Sequence, residues 1–165
     1  MRKGFTMIEL IFVIVILGVL ASVAIPRLAA TRDDAEVAKA ATNLTTAISD
    51  ITAYYTAKGQ FTSSVKSDFT KITNALTKDG KLNVKGTTTC VEVTLPDTTA
   101  NTNTTASNKV ELTLKFSGAS GANDAVCKTL KTLPGIKAMC GKSGTNENIT
   151  SDCKIQIGGS GGIQF

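Results

Sequence analysis

Glu9 is the one charged residue between Lys3 and Arg27, and a carboxylate inside an apolar run has one obvious chemistry: pairing with a cation or donor equally short of water. As a helix, the run from Phe5 to Ile25 would be roughly 30 Å long, enough to cross a bilayer. Glu9 would then lie within the hydrocarbon, where an ionisable residue is a functional site by default and needs a named partner. A second chemistry is offered by Cys90, Cys127, Cys140 and Cys153. Their number is even, no two form a CxxC pair, and the chain has no histidine. That combination points to two disulfides rather than a zinc site, with reduced buried cysteines as the alternative. Three pairings are open. Chain entropy favours the two sequential loops, Cys90 with Cys127 and Cys140 with Cys153, because short closures cost least to form.

Other reactive constellations are missing. Without histidine the commonest general base is gone, and there is no Gly-x-Ser-x-Gly, phosphate-cradling loop or cluster of metal ligands. No enzymatic activity, metal or cofactor is expected. Asp124, Glu147 and Asp152 fit no EF-hand spacing and read as surface acids. The 18 basic and 13 acidic residues leave a net charge of +5, or +3 once Arg2 and Lys3 are removed. Such an excess is compatible with nucleic acid, yet the head lysines, Lys66, Lys71, Lys78, Lys81 and Lys85 among them, are dispersed without interleaved aromatics, so nothing supports that partner.

The segments that must position these groups follow in order. Met1 to Gly4 is a short basic leader, and residues 5–26 are the apolar segment. Gly18 and Pro26 sit where a continuous helix would be weakened. Residues 27–58 have the pattern of an amphipathic helix, with Val37, Ala41, Leu44, Ile48, Ile51 and Tyr55 on one face. Asp33, Asp34, Glu36, Lys39, Asn43 and Asp50 lie opposite, and Lys58-Gly59 marks its end. Residues 59–165 form one strand-rich head with a modest core. Thr88 to Leu95 and Lys109 to Phe116 alternate with the period of half-buried strands and can pair as a hairpin. The polar stretch 96–108 between them reads as an exposed loop. A short helix is expected over Asn123 to Leu133, stopped by Pro134-Gly135. Cys153 to Ile157 and Gly162 to Phe165 read as closing strands. The fold class is therefore α+β, a long N-terminal helix packed on a small antiparallel sheet.

Gly4-Phe5-Thr6-Met7-Ile8-Glu9, with the basic leader before it and the apolar run after it, resembles the class III signal of type IV pilins and of the pseudopilins of type II secretion and DNA-uptake machines. The resemblance implies a pilin-like fold, cleavage after Gly4 by a prepilin peptidase, and N-methylation of Phe5. It further implies polymerisation through the helix, with Glu9 meeting the Phe5 amine of a neighbouring subunit. Gly18 and Pro26 match positions between which relatives stretch on assembly. The implied partners are further copies or related subunits and an inner-membrane assembly platform. The implied location is a single pass of the bacterial inner membrane, with a cytoplasmic N-terminus and the head in the periplasm, where disulfides form. The filament would then lie in the periplasm or at the cell surface, serving secretion, adhesion, motility or DNA uptake. Two other readings compete for the segment. A cleaved secretory signal would have a shorter apolar region without an acid, and a plain anchor gives Glu9 no role. The functional rival is a bitopic, membrane-anchored extracytoplasmic domain that binds a ligand and never polymerises.

Overall fold

The computed structural model describes residues 4–96, 109–116, 121, 123–142, 149 and 152–158. Its first element, α1, runs unbroken from Met7 to Lys58. The pattern change that separates residues 5–26 from 27–58 therefore does not interrupt the backbone, and both Gly18 and Pro26 are helical. At its far end α1 stops where a residue free to turn left-handed follows: Gly59 has φ +70° and donates its N–H to the Tyr55 carbonyl at 2.7 Å, a helix cap that glycine adopts without a Cβ penalty.

Contacts divide the chain into two units, Met1–Ala35 and Glu36–Phe165, so α1 contributes to both. In the first unit, Met7–Ile25 is long and apolar enough to cross a membrane and none of it is buried. Large apolar side chains are exposed there from Phe5 to Leu28.

The second unit is a four-stranded antiparallel sheet in the order β1-β2-β3-β4: β1 Lys81–Val84, β2 Thr88–Thr94, β3 Val110–Lys115 and β4 Cys153–Gly158. The hairpin expected from the two alternating runs is the β2–β3 pair, in which Val93 faces Leu114. β3 pairs onward with β4, Leu112 against Ile155 and Leu114 against Cys153. Short helices complete the unit: α2 Ser63–Lys66, α3 Ala125–Thr132 and α4 Pro134–Met139, with a 3-10 turn at Phe69–Lys71. The α+β, pilin-like expectation holds.

One core joins helix to sheet. Leu44 and Ile51 of α1 and Val91, Leu112 and Leu114 of the sheet are completely buried. The face of α1 that enters it differs from the predicted stripe. Val37, Leu44 and Ile51 are at its centre, but Ala40 and Ala47 share that centre while Ala41, Ile48 and Tyr55 are only half-buried at one flank. Alanines two turns apart thus help form the buried face, and a hydropathy pattern weighted toward large side chains passes over them.

Two further details depart from expectation. Pro134 does not close the helix of 123–133; it opens α4. α3 ends at Thr132, Leu133 is extended (φ −60°, ψ 129°), as a residue before proline is pushed to be, and proline then takes the first helical position, where no N–H is required. Strand β1, four residues long, went unpredicted. The candidate strand at 162–165 and the loop 97–108 lie outside the described residues.

Candidate functional site

Gly4 and Phe5 precede α1 in irregular backbone, and Phe5 is exposed. Thr6 is the residue before the first helical one, and Glu9 is in the first turn. The two are bound to each other reciprocally. The Thr6 backbone N–H donates to Glu9 Oε2 at 3.0 Å, the Thr6 hydroxyl donates to the same oxygen at 2.7 Å, and the Glu9 N–H points back at Thr6 Oγ1 at 3.4 Å. This is a capping box, threonine at the N-cap and glutamate three residues on, which occupies donors that an α-helix leaves open at its start. The helix dipole favours the same placement of a carboxylate. Sequence reading singled out Glu9 and missed this arrangement, although Thr-x-x-Glu ahead of an apolar run is its recognised signature.

Gly18 lies in the helix with open space where a Cβ would be, so no close neighbour among the described residues accounts for the glycine. Pro26 is likewise placed within α1. The structure thus sets Gly4, Phe5, Thr6 and Glu9 together at the start of α1, with Gly18 and Pro26 along its course.

The four cysteines are in the other unit, as two disulfides, Cys90 to Cys127 and Cys140 to Cys153, with Cα atoms 5.1 and 5.2 Å apart. These are the two sequential loops. Cys90 occupies a break in strand register: Leu82 pairs with Val91 but Asn83 with Thr89, leaving Cys90 as the extra residue. A bulge of this kind interrupts strand alternation and re-aims a side chain, and Thr89, Cys90 and Val91 are consecutively buried. The first bridge therefore ties β2 to α3, and the second ties the end of α4 to the start of β4.

Beside the first bridge, Asp124 caps α3. Its carboxylate accepts from the Val126 N–H at 2.8 Å and from Lys85 Nζ at 3.3 Å. Lys85 is at the tip of the β1–β2 hairpin with φ 50°, next to Gly86 at φ 90°, and its own N–H reaches Glu36 of α1 at 3.5 Å. Hydrogen bonding to the Val126 amide, with the Lys85 ammonium adding to it, holds the Asp124 carboxyl below the usual aspartate range. Because the folded-state value is depressed, the stabilisation is present above the ordinary value and is lost as pH falls through the folded one. The acid limb of a thermal-stability profile is accordingly expected to flatten in Asp124→Asn, which retains a competent N-cap, and Asp124→Ala should melt lower at neutral pH. Melting temperatures at stepped pH between neutrality and the acid limb measure both. Asp124 is thus a capping residue. Glu147 lies outside the described residues, and among those described no three metal-ligating side chains gather.

A cavity of about 410 Å³ opens between α1 and the α3–α4 corner, lined by Ala41, Thr42 and Thr45 and by Leu133, Ile136 and Met139 among others. None of its lining side chains is charged.

Comparison with curated proteins and with solved structures gave no match. A family model does match at the N-terminus, over the residues that contain the capped glutamate and the exposed apolar helix. The chain carries at residues 1–25 the prokaryotic N-terminal methylation motif, the class III signal of type IV pilins and pseudopilins.

Proposed function

We propose that this protein is a structural filament subunit, a type IV pilin or type II secretion pseudopilin. It is cut after Gly4, methylated on Phe5, and polymerises through α1 from a membrane-embedded pool. The observation that carries the reading is a single carboxylate, Glu9, near the start of the apolar stretch Met7–Ile25, which has no other charge and of which nothing is buried, inside a matched methylation motif. In a plain anchor that carboxylate would do no more than cap the helix. A subunit whose new amine must find a partner in an apolar filament core calls for it, since opposite charges attract strongly there and an unpaired one is penalised. Gly18 and Pro26 serve as the points at which α1 yields when the subunit leaves the membrane. The machine is a secretion, surface-pilus or DNA-uptake filament, with the prepilin peptidase and an inner-membrane platform as partners. The N-terminus faces the cytoplasm and the head the periplasm. Arg2 and Lys3 fit that orientation by the positive-inside bias, which Arg27 and Arg32 partly offset.

Intact mass of the protein extracted from membranes without reductant tests the processing. The expected species lacks Met1 to Gly4, carries one added methyl group, and is lighter by the four hydrogens of two disulfides. Replacing Gly4 by leucine is expected to leave the leader attached in essentially every molecule. A processed Gly4→Leu product would refute the cleavage site, and a full-length wild-type species would favour the non-polymerising membrane-anchored domain.

A further inference from the structure

We propose that residues 163–165 form a fifth strand, folding back as a hairpin onto the open edge of β4 in the same subunit. Ile163 then stands opposite Ile157, Gln164 opposite Gln156 and Phe165 opposite Ile155. The proposal goes beyond the filament reading and holds equally for an anchored domain that never polymerises.

Three observations combine. β4 is a terminal strand of the sheet, and among the described residues its backbone finds main-chain partners on β3 alone. The opposite edge is not left so: Thr77 donates its N–H to the Lys81 carbonyl at 2.9 Å, and its hydroxyl oxygen accepts from the Lys81 N–H at 3.0 Å, which occupies the start of β1. Second, the sequence around the end of β4 is nearly symmetric: Ile155-Gln156-Ile157, then Gly158-Gly159-Ser160-Gly161-Gly162, then Ile163-Gln164-Phe165. Five residues is among the loop lengths that close hairpins, and glycine supplies the positive backbone angles such loops use. Gly158 keeps its pairing with Val110 on the β3 side while opening the loop on the other. Third, the symmetry agrees with burial. Ile157 is buried and Ile155 half-buried against the core, while Gln156 is exposed. Residues directly opposite one another share a face of the sheet, so this register adds Ile163 and Phe165 to the core face and leaves both glutamines outside. A slip of one residue would reverse all of them. The added strand thus extends the apolar face and pairs edge amides that would otherwise invite another chain.

The competing account is an edge guarded without help. Lys154 is exposed and lies 3.8 Å from Glu111, and a register break falls between Val110 and Glu111; lysines and bulges both discourage edge pairing. Residues 163–165 would then be a free tail. Hydrogen exchange on the detergent-solubilised full-length protein separates the two without any substitution. The amides of 163–165 should exchange at least about tenfold more slowly than those of an unstructured peptide of the same sequence. Cysteine trapping then reads the register. Gln156→Cys/Gln164→Cys, mildly oxidised and mapped as non-reduced peptides with both native bridges present, should link within one chain at least about tenfold more than the offset pair Gln156→Cys/Phe165→Cys, because a disulfide needs its two Cα atoms close together. Exchange at free-tail rates would overturn the proposal. So would an offset pair that links equally well, or a link that forms only between chains when Gln156→Cys and Gln164→Cys proteins are mixed. None of these outcomes touches the processing and assembly reading, which stands or falls on the intact mass and on filaments.

Discussion

Replacing Glu9 by leucine is expected to leave the protein in the membrane fraction, processed after Gly4, and to abolish filaments. Leucine makes the segment more apolar, so insertion is not weakened. Helix capping loses one of its two reciprocal partners, a local effect at the first turn. What assembly loses is the counter-charge for the incoming amine. Removing one member of a buried ion pair leaves the other unpaired, and the association constant per subunit should fall at least about a hundredfold. Mixing wild-type and Glu9→Leu subunits sharpens the experiment, because the variant still brings an amine to a wild-type carboxylate. Sheared-filament yield, with membrane content as the control, is the measurement. Filaments of normal number from Glu9→Leu would establish that the carboxylate is there only to cap the helix and that polymerisation does not depend on an acid–amine pair.

The second large effect is in the globular unit. Removing the Cys90–Cys127 bridge should destabilise it more than removing Cys140–Cys153. The bridged residues are 37 apart in the first case and 13 in the second, and loop-closure entropy puts the two near 4 and 3 kcal/mol respectively. Burial adds to the contrast. Cys90 and Cys127 are both fully enclosed, whereas Cys140 is half-buried. Truncation to alanine also forfeits packing around the first bridge. For Cys90→Ala/Cys127→Ala the melting temperature of the detergent-solubilised full chain should drop by on the order of 10 °C or more. The Cys140→Ala/Cys153→Ala protein should melt between that variant and the wild type. The reverse order would mean that the α4–β4 junction, rather than the β2–α3 one, governs cooperativity.

Much of this architecture was legible in the residues, for physical reasons that differ by element. α1 announces itself because its apolar half has one charge and its second half repeats every three to four residues, and Gly59 ends it through a backbone conformation that suits glycine. β2 and β3 show because their faces alternate. By contrast, β1 is only four residues, Lys81–Val84, too short for alternation to stand out from chance. The bulge at Cys90 replaces alternation with three consecutive buried positions, so the same rule that found β2 could not foresee where its cysteine would point. Pro134 was read by its power to stop a helix when its freedom to begin one decides the local structure. At the site, Glu9 was conspicuous because charge is rare in its surroundings. Thr6 was not, because a threonine at the edge of an apolar run is unremarkable until its spacing to Glu9 is compared with capping geometry.

The threonines of α1 have a consequence for how its composition should be weighed. Thr42, Thr45, Thr52 and Thr56 donate their hydroxyls to the carbonyls four residues earlier, at 2.7 to 2.9 Å. Each has spent its only proton inside the helix, and what remains outward is a methyl group and an oxygen that can only accept. Scales that count these residues as polar therefore overstate the thirst of this surface. A protein laid against these four positions would strand none of their hydroxyl donors, because the usual charge for drying a hydroxyl has already been offset within the helix itself.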